Sequence, residues 1–160
     1  MSEESFRPCV AIVLFNEDAK ILVAARNDQE TDQWQLPQGG IENGETAIKA
    51  AFRELEEEIG TNNAVFLKES TTLISYEIPP ELRKGWMDNK WIGQSVKAVA
   101  LKFIGTETEI CLGREEAEFR AWKWEELSAL PELIIGFKKD LYRQIVREFS
   151  PIREDMLSRK

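Results

Sequence analysis

The chain has 160 residues, 42% hydrophobic and 31% charged, which suits one globular domain with a sizeable core. Its formal net charge of −8 argues against wrapping duplex DNA by bulk electrostatics, and no apolar run approaches the length of a membrane span. Histidine is absent, which excludes His-based triads and zinc-hydrolase motifs and leaves carboxylates as the main candidates for base and metal ligand.

Residues 6–15, FRPCVAIVLF, predict a buried strand that turns at NEDAK into a second strand, ILVAA, ended by Arg26. The N-terminus MSEESFRP lacks a signal-peptide core, and Cys9 and Cys111 read as isolated buried thiols, so the expected setting is cytosolic. A polar stretch leads to Trp34, whose default role beside Leu36 and Pro37 is that of a core aromatic. Gly39, Gly40 and Gly44 then form a loop, and Glu45 and Thr46 stand where acidic and hydroxyl side chains suit the exposed N–H groups of a helix start. Ala47–Glu58 has no Gly or Pro and is rich in good helix formers, and Gly60 stops it.

Ala64–Lys68, Thr71–Ile78 and Gln94–Ile104 read as further strands, separated by an irregular segment holding Trp86 and Trp91. Glu118–Trp124 alternates as another strand, and a helical turn follows that Pro131 should interrupt. Residues 136–149 predict a second long helix with Phe137, Leu141, Ile145 and Phe149 as its apolar stripe. The charged tail from about residue 151 is expected to be flexible and frayed. Strands interspersed with two main helices give an α+β class: one domain over 1–160, an α/β/α sandwich with a mixed β-sheet between helices.

The first helix carries an unusual load. Glu54, Glu57 and Glu58 stand at i, i+3 and i+4, so their like charges crowd one face and repel. A hard divalent cation such as Mg²⁺ or Mn²⁺ removes the conflict, because it prefers carboxylate and carbonyl oxygens. Arg53, four residues before Glu57, is placed to hold a carboxylate by a bidentate pair. A solvated, Glu-rich surface helix is the plain alternative, against which stand the glycine loop and the fixed spacing.

The stretch from Gly39 to Thr61, GGIENGETAIKAAFRELEEEIGT, resembles the Nudix box G-x5-E-x7-R-E-U-x-E-E-x-G-U, in which U is a bulky apolar residue. Gly39, Glu45, Arg53, Glu54, Leu55, Glu57, Glu58 and Gly60 match, and only Thr61 departs from an aliphatic position, which touches helix-end packing and no chemistry. Flanking segments resemble the bacterial RNA pyrophosphohydrolase branch, also described as dinucleoside polyphosphate hydrolases: Phe6-Arg7-Pro8, WQLPQGGI at 34–41, EFRAWKW at 118–124 and GFKKDLYR at 136–143. Residues 93–99, GQSVKAV, depart from that branch's G-Q-K-Q-[KR]-W-F strand.

The resemblance implies the same layered fold and a metal-dependent hydrolase of phosphoanhydrides. Glu54, Glu57 and Glu58 become the expected ligands of Mg²⁺ (or Mn²⁺), with the Gly39 carbonyl beside them and Glu118 as a ligand or base from a separate strand. Glu57 is the first choice for the base, Arg53 should orient a ligand carboxylate, and Glu45 should brace the loop. Arg7, Arg26 and Lys138 are expected phosphate contacts and Phe137 a surface for base stacking. Gln38, Tyr76 and Gln94 match positions that line the family's cleft. Plainer readings stand beside these, with Arg7, Arg26 and Lys138 as solvated charges and Phe137 as core.

The substrate reading is a 5′-triphosphate RNA end converted to a 5′-monophosphate with release of pyrophosphate, a step in mRNA decay. The alternative is hydrolysis of diadenosine tetra- or pentaphosphate at the same site. A non-catalytic nucleotide-sensing domain ranks last, since such forms lose box carboxylates and this chain keeps them.

Overall fold

The computed structural model describes residues 6–26, 33–83, 90–112, 119–134, 136 and 138–159. Its strands are β1 (Phe6–Phe15), β2 (Ile21–Arg26), β3 (Gln38–Gly40), β4 (Ala64–Glu69), β5 (Ile74–Glu77), β6 (Gly93–Phe103) and β7 (Phe119–Glu125). The helices are α1 (Ala47–Ile59), the single turn α2 (Pro80–Arg83) and α3 (Lys139–Ser158), with 3₁₀ turns at Glu107–Glu109 and Leu127–Glu132. The sheet runs β4-β6-β1-β2-β7, with β3 added to β1 and β5 to β6. β1 and β6 are parallel and their other partners antiparallel, so the expected mixed sheet is present.

β1 explains the layering. Its residues are apolar in near-continuous sequence, as a strand covered on both faces requires. Cys9, Ala11, Val13 and Phe15 point into one core with Leu141, Tyr142, Ile145 and Phe149 of α3. Val10, Ile12 and Leu14 point into the other with Ala50, Ala51, Leu55 and Ile59 of α1. Thus the sheet lies between α1 and α3, as an α/β/α sandwich should.

Three expectations need correction. The tail after Pro151 is helical to Ser158. An interior proline costs roughly 3 kcal/mol, but Ile152, Met156 and Leu157 pack against the α3-side core, each able to return up to about 1.5–3 kcal/mol on full burial. Arg153 also reaches Glu126 Oε2 at 3.3 Å. Pro131 does not interrupt its turn but lies buried inside the 3₁₀ segment Leu127–Glu132. Cys9 is buried as expected, whereas Cys111 is exposed. Its backbone N–H is fixed to Ile59 O at 2.7 Å, which leaves the side chain outside the core.

Thr61 shows how the polar departure at the end of α1 is accommodated. It is buried, its hydroxyl donates to Glu109 Oε1 at 3.0 Å, and it accepts from Asn63 N–H at 3.1 Å. Among the described residues, no helix is long and apolar enough to cross a membrane.

The opening for a site comes from a split in the sheet. β1 pairs with β2 at Phe15↔Ile21, beside the turn. Farther along, residues 34–40 occupy the gap: Gln35 bridges Ala24 of β2, Ile12 N–H donates to Pro37 O at 2.9 Å, and Gln38–Gly40 form β3 against β1. This strap leads directly into the loop before α1.

Candidate active site

α1 begins and ends as its sequence dictates. Thr46 is the N-cap, its hydroxyl accepting from Lys49 N–H at 3.1 Å, and Gly60 closes the helix with φ 92° and its N–H on Glu56 O. Four small or aliphatic residues (Ala50, Ala51, Leu55 and Ile59) bind α1 to the sheet, and the alanines allow close approach. Glu54 and Glu58 lie one turn apart beside this buried stripe and face the mouth of the sheet split.

There a cavity of about 270 Å³ is lined by Glu54, Glu58, Gly39 and Gly40 together with Arg7, Arg26, Lys138, Gln35, Gln38, Gln94, Leu36 and Phe119. Three cations face two carboxylates, so the cavity has a formal balance of +1 (3 − 2) inside a chain of −8. A polar cavity lined by both acids and cations accepts an anion bridged by a metal.

The two glycines of β3 make this possible. A Cβ on Gly39 would lie 2.1 Å from Glu54 Cδ, and a Cβ on Gly40 would lie 2.5 Å from Arg7 Nη2. One missing side chain admits the acid and the next admits the base, on the two faces that alternate along a strand.

Arg53 holds the acidic wall together. Its Nε and Nη2 donate to the two carboxylate oxygens of Glu45, both at 2.8 Å. Nη2 also donates to Gly40 O at 2.8 Å, and Nη1 donates to Glu54 Oε1 at 2.8 Å and Glu57 Oε2 at 3.3 Å. All five guanidinium N–H groups are thereby committed, tying α1 to the glycine loop. The bond from Arg53, followed by the Glu42 backbone N–H, holds the Glu45 carboxyl down at about 2. The same partnership, Glu45 first, raises Arg53.

Glu57 does not stand where the crowded-face reading puts it. Drawn to Arg53, its side chain is 56% exposed and does not line the cavity, whereas Glu54 is only 13% exposed. Among the described residues no three acidic side chains stand close enough together to grip an ion. The i−4 arginine offsets repulsion between neighbouring acids by taking one aside.

On the opposite wall, Gln38 Nε2 donates to Gln94 Oε1 at 2.8 Å and Tyr76 OH at 3.2 Å, and the Tyr76 hydroxyl is hydrogen-bonded to Gln94. Tyr76 therefore braces two cavity residues from behind, and burial raises its phenol. Beneath them burial pushes the Cys9 thiol up to about 11, against the pull of Arg7 and Lys138. Lys138, just before α3, donates to Gln35 Oε1 at 3.2 Å. Of the expected site residues, Arg7, Arg26, Gln38, Gly39, Glu54, Glu58, Gln94 and Lys138 thus meet at one cavity. Glu118 and Phe137 lie outside the described residues.

Residues 5–148 match the NUDIX domain family. The chain belongs to the Nudix family. Among Nudix relatives, an RNA pyrophosphohydrolase of Zymomonas mobilis is 38% identical over 152 residues, spanning 94% of this chain and 98% of the relative. That of Rhodospirillum rubrum is 41% identical over 145 residues, spanning 91% and 87%. The Nudix fold is shared with the E. coli dihydroneopterin triphosphate pyrophosphohydrolase, at a TM-score of 0.67 and 22% identity over 90% of this chain and 96% of that one.

The donor chemistry fits the divalent cation the Nudix family implies. Glu54 and Glu58 offer hard oxygens at the cavity, and the space left by the absent Gly39 Cβ is filled by the Glu54 carboxyl. Sequence reasoning passed over Gln35 and Tyr142. Both lie inside the flanking motifs, but the partners that give them meaning, Lys138 for Gln35 and Leu36 for Tyr142, stand 103 and 106 residues away in sequence.

Proposed function

We infer that this Nudix protein is an RNA pyrophosphohydrolase that converts a 5′-triphosphate RNA end to a 5′-monophosphate and releases pyrophosphate. The observation that carries the reading is one cavity lined by Glu54 and Glu58 together with Arg7, Arg26 and Lys138. Near-full-length relatives named RNA pyrophosphohydrolases at 38% and 41% identity support the choice of substrate.

In this reading Glu54, Glu58, Glu57 and the Gly39 carbonyl hold Mg²⁺ or Mn²⁺, with Glu118 joining as ligand or base. A bound divalent cation supplies charge neutralisation and a more acidic water. Arg7, Arg26 and Lys138 bind the phosphate oxygens and neutralise charge that develops as the anhydride bond breaks, where positioning and electrostatics dominate. Arg53 keeps the Glu54 carboxylate aimed past Gly39 while Glu45 balances its charge. Gln38 Oε1, buried and without a hydrogen-bond partner among the described residues, is available to a substrate donor. Phe137 is the proposed stacking surface for a base.

A side-by-side assay with Mg²⁺ tests the reading. The expected result is pyrophosphate release from 5′-triphosphate RNA with a kcat/KM above that for diadenosine tetraphosphate. Preference for the dinucleotide would move the protein to the polyphosphate-hydrolase alternative, and inertness toward both would overturn the assignment.

A further inference from the structure

Residues 34–40 carry Gln35, Gln38 and Gly39 to the cavity, and the backbone along this strap is held at each step. Trp34 N–H donates to Leu133 O at 3.0 Å and Gln35 N–H to Ala24 O at 2.9 Å, Pro37 has no donor, and Gln38–Gly40 pair with β1. Leu36 N–H donates instead to a side chain, the hydroxyl oxygen of Tyr142, at 2.9 Å. Tyr142 is completely buried and sits 106 residues away, near the start of α3, one helical turn after Lys138.

We propose that the Tyr142 hydroxyl is a positioning group for the cleavage reaction, setting the strap so that Gln35 and Gly39 meet Lys138 across the cavity. The proposal rests on reading the cavity as the pyrophosphohydrolase site. Packing alone does not call for an oxygen here, since a phenylalanine fills the same space among Leu36, Leu141 and Ile145. The hydroxyl answers a different need: Leu36 N–H is buried, and a buried donor without an acceptor is costly enough to move the backbone or draw in water. Either response shifts the strap, and misplacement by about 1 Å costs a reacting geometry roughly 10²-fold. Because Lys138 is the N-cap of α3 and its carbonyl accepts from Tyr142 N–H at 3.1 Å, the helix start sets both the strap and the ammonium that bonds Gln35.

The test compares Tyr142→Phe with Ile152→Ala in the full chain. Ile152 lies on the same helix and packs on the same core, away from the cavity, so it controls for a loosened α3. Tyr142→Phe should lower kcat/KM on 5′-triphosphate RNA about tenfold and speed hydrogen exchange at the Leu36 amide about tenfold or more relative to its strap neighbours. Ile152→Ala, at a comparable loss in Tm, should keep kcat/KM within about twofold. A folded Tyr142→Phe protein with unchanged kcat/KM and unchanged Leu36 exchange overturns the proposal, as does an equal loss of activity in Ile152→Ala. Should Tyr142→Phe fail to fold, 3-fluorotyrosine at this position keeps the ring and weakens the acceptor. It should then move both readouts by about threefold, and no movement overturns the assignment. A wild-type chain that leaves the RNA intact defeats the reading of the cavity itself, whereas wild type and Tyr142→Phe cleaving equally well defeats the role of Tyr142 alone.

Discussion

Helices α1 and α3 cover opposite faces of one sheet and both serve one cavity, yet they do so by opposite means. α1 is short, bound to the sheet by small and aliphatic residues, and carries its chemistry on its own surface as Glu54 and Glu58, the former steadied by Arg53 of the same helix. α3 is 20 residues long, is mostly packing, and serves the cavity from its start, through its N-cap Lys138 and through Tyr142 acting on the strap. Function written along one helix is local and robust to changes elsewhere. Function that depends on where a helix begins is set by tertiary packing.

The sharpest way to break this contrast is to neutralise an acid of α1. Glu58→Gln should lower kcat on the order of 10²-fold or more with an unchanged melting temperature, and a drop in Tm instead would make Glu58 a structural residue. Removing the cation before α3 should do less. Lys138→Ala should raise KM for 5′-triphosphate RNA about tenfold and flatten the salt dependence of binding by roughly 0.7 in log–log slope, and an unchanged slope would return Lys138 to ordinary surface charge.

The smallest effect should appear in acid. The Glu45 carboxyl lies at about 2 against an ordinary 4.5, so its pairing with Arg53 contributes fully above pH 4.5 and is lost as pH falls toward 2. In that window the unfolded chain binds more protons, and stability must rise with pH. Glu45→Gln should therefore flatten the pH dependence of Tm between those values and lower Tm at pH 7, where the pairing contributes in full. An identical slope in the two proteins would show that the bidentate pair contributes nothing.

What the sequence disclosed follows the same division. The strands other than β3, whose Gly39 and Gly40 read as loop, the caps Thr46 and Gly60, and the acids of α1 were legible because their signals lie within one or two turns of each other. The convergence of Arg7, Gln94 and Lys138 was reachable only through resemblance, since strand pairing and the start of α3 bring them together across the whole chain. The placement of Glu57 was not legible, because Arg53 draws its carboxylate aside and spacing cannot rank that partner against a metal. The tail from about 151 misled because its charge was weighed without Ile152, Met156 and Leu157, which pack against the α3-side core. Tyr142 was hidden for a related reason: its period along α3 announces packing, and the hydroxyl gains its meaning from an amide 106 residues earlier.

The central claim is that the carboxylates of α1 exist to hold a divalent cation against a polyphosphate. Titration of Mn²⁺ followed by electron paramagnetic resonance of the free ion, in wild type and in Glu54→Gln/Glu58→Gln, addresses it directly. The predicted result is saturable binding by the wild type and at least about tenfold weaker binding by the double variant. Equal binding by the two proteins, both folded, would contradict it.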